Sequence, residues 1–252
     1  MPPDVSFTLA EKRAVVTGSS SGIGRAIATE LASAGASVIV HGFHHFGAAK
    51  LLATTLQCQE IHAIESDLSL PKARTEFVNR CWQHGPIDIW VNNAGADVLT
   101  GQPADWSFDE KLERLWEVDV LGTLQLSRDV GARMKQRGSG AIINMGWDQA
   151  EVGMAGESGE MFATTKGAIM AFTRSLAKSL APQVRVNCLA PGWIQTQWGT
   201  DASEYWQQRA TSESLLQRWG TPEDVARTAR FLASDEASFI TGQIFSVNGG
   251  RN

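Results

Sequence analysis

The 252-residue sequence predicts one α/β domain, in which a doubly wound sheet of parallel strands carries helices on both faces. Three observations predict this fold class. Short β-branched runs alternate with longer runs of helical apolar spacing along the whole chain. No segment rich in proline, glycine and serine divides that alternation. A glycine-rich turn joins the first strand directly to the first helix.

The first half of the chain alternates strands and helices regularly. The first β-branched run stops at Gly18, and the apolar spacing of the following helix stops at Gly35, because glycine is a common helix C-cap. The same alternation recurs three times before residue 96. In chain order the segments are "RAVVTG", "GIGRAIATELASAG", "SVIVHG", "GAAKLLATTL", "IHAIES", "KARTEFVNRCWQHG" and "IDIWVNNAG".

The second half keeps the alternation but spaces it more widely. A helical region is predicted from about Asp105 to Arg137, and polar loops or short helices from Thr200 to Gln217. A further helix is predicted from about Pro222 to Ala233. The other predicted elements are "GAIINMG", the long helix "MFATTKGAIMAFTRSLAKSL", "VRVNCLAPG" and the last strand "QIFSVNGG".

Composition excludes several classes of partner. The net charge of −5 and the lack of a Lys/Arg cluster argue against nucleic acid. No apolar run is long enough for a bilayer, and the opening segment has no apolar signal region, so a cytoplasmic protein is expected. Cys58, Cys81 and Cys188 are predicted to be buried free thiols in a reducing compartment.

The segment "TGSSSGIG", residues 17–24, predicts a phosphate-binding turn. Its glycines allow a tight turn and a close approach by a pyrophosphate. The helix that follows offers free N–H groups and the positive end of its dipole to that anion. A strand before the turn and a helix after it make a dinucleotide site the favoured interpretation over a simple tight turn.

Together with later motifs, this turn resembles the short-chain dehydrogenase/reductase family. "NNAG" at 92–95, the lysine of "FATTK", "NCLAPGWIQT" at 187–196 and "VNGG" at 247–250 follow the family's order and spacing. The resemblance covers nearly the whole chain. It implies a Rossmann-type sheet of seven parallel strands, bound NAD(H) or NADP(H), a small-molecule substrate and a homo-oligomer, either a tetramer or a dimer.

The resemblance also assigns residues to the cofactor. The glycine turn is expected to line the pyrophosphate, Asp67 the adenine, the segment after the fourth strand the adenosine ribose, and the 191–196 segment the nicotinamide. The full expected set is Gly18, Ser20, Ser21, Gly22, Ile23, Gly24, His44, Asp67, Leu68, Asn92, Ala94, Gly95, Lys166, Pro191, Gly192, Ile194 and Thr196.

The end of the second strand favours NADP(H) over NAD(H). A carboxylate there would bind the ribose 2′-hydroxyl and repel a 2′-phosphate, but the position falls on Gly42. His44 stands near the place where relatives that prefer NADP(H) often carry arginine. The "HGFHH" cluster also suggests metal ligands, but it lacks a partner carboxylate or thiol, so a solvated loop and no metal are predicted.

The catalytic positions of the family are largely replaced in this chain. The resemblance places the usual lysine at Lys166, the tyrosine at Phe162, the serine at Trp147 and the asparagine at Asp119. A phenylalanine cannot exchange a proton with a substrate oxygen, and a tryptophan offers one N–H donor with much greater bulk. Asp119 is either an ion-pair partner of Lys166 or an acid on a helix surface.

The loss of the phenol leaves the source of the catalytic proton open. General acid–base catalysis contributes about 10²–10⁴-fold, whereas positioning of the reactants can contribute more, so activity is not excluded. Water or another acid then supplies the proton, although surface acids on a loop are the ordinary interpretation of the candidates. The candidate donors are Asp148, Glu151, Glu157, Glu160 and Tyr205.

Aromatic residues are predicted around the substrate. The chain has nine tryptophans and one tyrosine, and four of these rings, Trp147, Trp193, Trp198 and Tyr205, are expected to line the pocket. The alternative is that the aromatic rings of the lid pack on one another. Two functions remain open: an oxidoreductase of small carbonyls or alcohols with a rebuilt proton-transfer step, or a catalytically silent cofactor-binding or partner subunit.

Overall fold

The computed structural model describes residues 7–251 of the chain. Within them, seven strands form a single parallel sheet in the order β3-β2-β1-β4-β5-β6-β7, which confirms the predicted fold class. The order reverses between β1 and β4, so the carboxyl ends of these two strands flank the crevice where open α/β sheets bind ligands. The strands are β1 Arg13–Val16, β2 Ser37–Gly42, β3 Ile61–Glu65, β4 Ile89–Asn92, β5 Gly140–Met145, β6 Val184–Pro191 and β7 Ile244–Val247.

Helices cover both faces of this sheet. The longest, α7, contains the "FATTK" motif and begins at Glu157, several residues before its predicted start. In the described part of the chain, no helix is long and apolar enough to cross a membrane. The helices are α1 Gly22–Ser33, α2 Phe46–Thr55, α3 Pro71–Gln83, α4 Phe108–Leu115, α5 Gly122–Arg137, α6 Gln149–Val152, α7 Glu157–Leu180, α8 Gln197–Asp201, α9 Glu204–Glu213 and α10 Pro222–Ala233.

Two apolar cores hold the layers together. Because successive strand residues face opposite sides of a sheet, Ala14 and Val16 contribute to one core while Val15 contributes to the other. The first core packs against α1 and α10, and the second against α3, α5 and α7. The five central strands are buried on both faces, which explains their largely apolar sequences, whereas the edge strands β3 and β7 are only partly buried.

The helical region predicted from Asp105 to Arg137 is divided into three segments. Ser107 begins α4 with a reciprocal capping box, in which its hydroxyl accepts the Glu110 N–H and the Glu110 carboxylate accepts the Ser107 N–H. The π-helical turn Trp116–Leu121 then separates α4 from α5. Such π turns insert a residue into a helix and occur frequently at functional sites. This one contains Asp119.

Candidate active site

The carboxyl edge of the sheet brings the sequence motifs together. A Cβ atom built on Gly18, after β1, would lie 2.7 Å from Cα of Ala94, after β4. A Cβ atom on Gly22 would lie 3.4 Å from Cγ2 of Thr196, after β6. The glycine turn therefore contacts both the segment expected at the adenosine ribose and the segment expected at the nicotinamide.

The glycines of the turn are required by geometry. Gly18 and Gly22 have φ values of +62° and +52°, a left-handed backbone that glycine adopts without strain. Gly24 is needed for a different reason, since a Cβ there would lie 2.3 Å from the Gly18 carbonyl oxygen and 2.4 Å from Nδ2 of Asn93. The turn is thus packed as closely as the backbone permits.

Thr17 and Asn93, which the sequence analysis did not single out, fasten the turn to β4. Oγ1 of Thr17 accepts the backbone N–H groups of Asn93 at 2.9 Å and Ala94 at 3.0 Å. Nδ2 of Asn93 donates to the carbonyl oxygens of Thr17 and Gly18, both at 3.1 Å. Their positions within the motifs "TGSSSGIG" and "NNAG" were the sequence signal that could have identified these two residues.

His41 is a third residue that sequence reasoning missed. Its Nδ1 accepts the Gly18 N–H at 3.0 Å, and its Nε2 donates to the Ser66 carbonyl oxygen at 2.9 Å, which fixes the neutral Nε2-protonated tautomer. Burial lowers its pKa to about 4, although the Ser66 carbonyl and Asp67 oppose the shift. His41 therefore supports the turn and is not available to a metal, whereas His44 and His45 are exposed, as predicted.

The start of α1 fits an anionic pyrophosphate. Ser21, the N-cap residue, makes no side-chain hydrogen bond to the helix, and the first turn contains no acidic residue. The N–H groups of the first turn and the helix dipole are therefore open to a ligand oxygen. The Gly18 N–H is used by His41, so Gly18 contributes space rather than a donor.

Two of the expected cofactor residues direct their side chains into the protein. The Asn92 amide is buried, where it donates to Ser127 Oγ at 2.8 Å and to Asn144 Oδ1 at 2.9 Å. The Leu68 side chain belongs to the core under α3 and α5. At the sheet edge only the backbone atoms of these two residues can contact a ligand, because their side chains point into the protein.

Lys166 and Asp119 form a direct ion pair. Nζ of Lys166 lies 2.8 Å from Oδ2 of Asp119, whose side chain is only 2% exposed. Oδ1 of the same carboxylate accepts the Ala96 N–H at 2.8 Å, and a Cβ on Gly95 would lie 3.0 Å from Oδ2. The ion-pair hypothesis is confirmed, and the alternative of a surface acid is wrong, because the π turn directs Asp119 inward.

Phe162 and Trp147, the residues that the resemblance assigns to the tyrosine and serine positions, pack against each other. The rings of Phe162 and Trp147 meet edge to face with centroids 6.2 Å apart. Gly146 precedes Trp147, and aligning the serine position with Gly146 would supply no side chain. A Cβ on Gly146 would lie 2.8 Å from Cγ of Met170, so this position is also closely packed. Within residues 7–251 the indole N–H of Trp147 has no hydrogen-bond partner, which leaves it free for a ligand oxygen.

The candidate proton donors differ sharply in environment. Asp148 is buried, and burial raises its pKa against the opposing hydrogen bond from Asn248 and the charge of Arg251. Its Oδ2 accepts the Asn248 amide at 3.1 Å, while Oδ1 is buried without a partner. The expectation of a loop-surface acid is wrong for Asp148. Glu151, Glu157 and Glu160 are exposed as expected, but they lie on helices α6 and α7 and not on a loop.

The predicted aromatic pocket is divided into two groups. Trp193, Trp198, Trp206 and Trp219 form a tryptophan cluster with ring centroids 5.3–6.3 Å apart. Trp147 belongs instead to the pair with Phe162. These rings therefore do not form a single wall. The alternative that the lid packs on itself describes the cluster better.

Polar groups orient the tryptophan cluster. Nε1 of Trp193 donates to Glu213 at 2.8 Å, and Nε of Arg209 donates to the same carboxylate at 2.7 Å. Burial raises the pKa of the Glu213 carboxyl, but these two hydrogen bonds outweigh burial and hold that pKa below its ordinary value. Tyr205 packs against Trp206 and is 63% exposed, on the outside of the cluster.

The free cysteines take no part in the site. Cys81 and Cys188 are buried, and burial raises both thiol pKa values, that of Cys188 to about 12. Cys58 is only half-buried, contrary to the prediction, and its thiol contacts the Glu60 carbonyl oxygen at 3.3 Å. Thiols with such raised pKa values are poor nucleophiles, so Cys81 and Cys188 act as small apolar side chains.

Comparison with known proteins agrees with this geometry. A family model described as enoyl-(acyl carrier protein) reductase matches residues 18–252. The 3-oxoacyl-[acyl-carrier-protein] reductase FabG of Aquifex aeolicus is 38% identical over 98% of this chain and 99% of its own length. The short-chain reductase protein NovJ of Streptomyces niveus is 35% identical over 99% and 98%.

Solved structures show the same fold. A 7α-hydroxysteroid dehydrogenase complexed with NADH and 7-oxo glycochenodeoxycholic acid has a TM-score of 0.89 at 30% identity and covers 100% of this chain and 98% of its own. An Agrobacterium tumefaciens 3-oxoacyl (acyl-carrier-protein) reductase with NADP bound has a TM-score of 0.87 at 30% identity over 97% and 95%. The protein is a Rossmann-type α/β protein with a ligand crevice at the carboxyl edge of its sheet. It belongs to the short-chain dehydrogenase/reductase family of oxidoreductases.

Proposed function

We propose that this chain binds a nicotinamide dinucleotide along the carboxyl edge of the sheet and interconverts a small carbonyl compound and its alcohol. The observation that carries the proposal is the retention of Lys166 as a nearly buried amine paired with Asp119, whose carboxylate also contacts the segment after β4 at Gly95 and Ala96. Solved relatives that hold NADH or NADP at about 30% identity support it.

The residues at the edge would divide the cofactor among them. The uncapped first turn of α1 would hold the pyrophosphate, the segment 94–96 the adenosine ribose, and the segment 191–196 the nicotinamide. When bound, the dinucleotide supplies or accepts the hydride. The chain itself positions the two reactants, which alone lowers a barrier by about 7–11 kcal/mol in well-oriented systems.

The charge that develops on the substrate oxygen would be met by an N–H donor and a cation. The free indole N–H of Trp147 replaces the usual serine hydroxyl, and Lys166 supplies positive charge, which Asp119 partly offsets. Phe162 delivers no proton, so the proton comes from solvent. We expect a slow enzyme, since a lost general acid costs about 10²–10⁴-fold in rate.

NADP(H) is the favoured cofactor in this proposal. Gly42 ends β2 without a carboxylate, so nothing at that position would repel a 2′-phosphate. His44 is exposed beyond the end of β2, and its ring packs 4.4 Å from that of Phe43; in this proposal its imidazole would face the 2′-phosphate. Replacement of His44 by aspartate is expected to reverse the preference.

Turnover tests the proposal directly. Purified chain is incubated with NADPH or NADH and a panel of small ketones and aldehydes, and loss of the reduced-nicotinamide absorbance is recorded. We expect slow oxidation of NADPH with at least one carbonyl, and a much lower rate for a Lys166→Met variant that a cooperative melt shows to be folded at the assay temperature. Saturable cofactor binding without turnover of any carbonyl or alcohol would instead identify a silent cofactor-binding protein.

A further inference from the structure

A second cluster of chemically reactive side chains lies at the opposite edge of the sheet. Glu60 immediately precedes β3, His62 is its second residue, and His84 ends α3. Because all strands are parallel, the start of β3 lies at the amino edge, away from the glycine turn after β1. The family comparison and the proposed reaction leave this cluster without a role.

The ligand atoms of the three side chains lie close together. One ligand atom from each, a carboxylate oxygen and two ring nitrogens, lies within 4.8 Å of the other two. Nε2 of His62 is 2.8 Å from Oε1 of Glu60, and the His62 and His84 rings are stacked at 3.6 Å with 21° between their planes. Two imidazoles and one carboxylate form a donor set typical of zinc sites with an open fourth position.

The backbone and a neighbouring cation fix the carboxylate. The Glu60 carbonyl oxygen accepts the Val38 N–H at 3.0 Å, which ties this residue to β2. The second carboxylate oxygen of Glu60, Oε2, accepts a hydrogen bond from Nη2 of Arg13 at 2.6 Å, so Oε1 is directed toward the histidines. A hydrogen bond to the outer oxygen of a ligating carboxylate is a usual means of orienting metal ligands.

We propose that Glu60, His62 and His84 bind a divalent transition metal ion such as Zn²⁺. The ion would lie between Nε2 of His62 and Oε1 of Glu60, which now contact each other directly. Tetrahedral coordination with bonds of about 2.0–2.1 Å separates neighbouring ligand atoms by about 3.4 Å. Here Nε2 of His62 and Oε1 of Glu60 are 2.8 Å apart, and all three ligand atoms lie within 4.8 Å of one another. All three side chains are partly exposed, so solvent can fill the fourth position. The ion would tie the start of β3 to the end of α3.

Binding requires the stacked rings to separate. A metal ion lies in the plane of each imidazole that it binds, and two parallel rings 3.6 Å apart cannot both direct a lone pair at one point. Rotation about χ2 opens the stack, and the exposure of both rings permits that rotation. The movement gives a signature of coordination at these two residues that loose surface binding would not produce.

Calorimetric titration of chelator-treated full-length protein with ZnCl₂ tests the proposal. We expect one saturable site with a dissociation constant in the micromolar range, accompanied by shifts of the His62 and His84 ring resonances. His62→Ala and His84→Ala should each weaken Zn²⁺ binding at least tenfold, since removal of a residue that merely orients a metal ligand already has an effect of about this size. The double variant His44→Ala/His45→Ala removes two exposed histidines elsewhere and should leave binding unchanged.

Melting in the presence of chelator shows whether each variant is folded before its affinity is interpreted. A rise in the melting temperature of the wild-type protein with Zn²⁺, absent from folded His84→Ala protein, would support the site. Equal Zn²⁺ affinity in wild-type and His84→Ala protein, loss of affinity only in the His44/His45 variant, or no binding at millimolar Zn²⁺ would overturn it.

Discussion

The glycine turn and the surroundings of Lys166 lie at the same sheet edge, yet they relate differently to the family pattern. Residues 17–24 match that pattern, and the closest approaches at Gly18 and Gly24 are to backbone atoms, 2.7 Å to Cα of Ala94 and 2.3 Å to the Gly18 carbonyl oxygen. Around Lys166, the resemblance predicts other side chains at three of the four catalytic positions, and the structure holds these side chains by aromatic packing or by an ion pair. The backbone geometry of the turn leaves no room for larger residues at its glycines, whereas the side chains beside Lys166 can be replaced without loss of the fold.

Breaking the ion pair should have the largest effect. Asp119→Asn leaves the Lys166 ammonium in a buried position without its countercharge, and such losses cost about 3–5 kcal/mol of unfolding free energy. The loss of unfolding free energy should lie at the lower end of this range, because 14% of the lysine side chain is exposed to solvent. Urea denaturation measures the change.

Two controls sharpen that prediction. Glu117→Gln alters an exposed acid of the same π turn, whose contact with Arg114 is 3.9 Å long, and should change stability by less than about 0.5 kcal/mol. The double variant Asp119→Asn/Lys166→Met should be more stable than Asp119→Asn alone. Equal stability of the single and double variants would contradict a paired, buried lysine.

Adding one methyl group to the glycine turn should have the next largest effect. In Gly24→Ala the new Cβ would lie 2.3 Å from the Gly18 carbonyl oxygen, so the turn must shift, at a cost of about 3 kcal/mol. Gly47→Ala is the matched control, because a Cβ there meets no atom within 4 Å. It should raise stability by about 0.5–1 kcal/mol, and thermal melts that rank the two variants in the opposite order would refute the steric argument.

The His41 contact predicts a pH dependence of stability. Its pKa is about 4 in the folded protein and about 6.5 in the unfolded chain, so only the unfolded chain takes up the proton between these values. The contribution of His41 is complete above pH 6.5 and is lost as the pH falls toward 4, at up to about 1.4 kcal/mol per pH unit.

Urea denaturation of wild-type and His41→Gln protein between pH 4 and 7 measures this dependence. The stability difference between the two should shrink as the pH falls through that range. His44→Gln changes an exposed histidine two residues beyond β2 and should leave the wild-type pH curve unaltered. A His41→Gln curve parallel to that of the wild type would show that His41 does not couple to the turn.

Restoring the phenol should have the smallest effect in free energy. Phe162→Tyr should raise the turnover number by about 10–100-fold, or roughly 1.4–2.7 kcal/mol of barrier. We expect less than the full value of a general acid, because Trp147 and Asp119 remain different from the family pattern. Phe162→Leu is the control for a change of packing, and an equal rate in Phe162→Tyr and wild-type protein would show that another group already delivers the proton.

The fold was predictable from the sequence, because the strand–helix alternation and the glycine turn follow from local patterns. The Asp119–Lys166 contact was proposed from sequence, but its geometry depends on a π turn that apolar spacing does not reveal. The buried state of Asp148 and the clustering of Glu60, His62 and His84 depend on which loops meet in space. The self-packing of the tryptophan cluster depends likewise on the loops after β6.

Cofactor binding by the unaltered protein tests the central claim most directly. Isothermal titration with NADPH, followed by NADH and by a nucleoside without a pyrophosphate, separates recognition of the phosphate turn from recognition of adenine. The account predicts saturable one-site binding of NADPH, weaker binding of NADH and no measurable binding of the nucleoside. Failure of both dinucleotides to bind at millimolar concentration would contradict it.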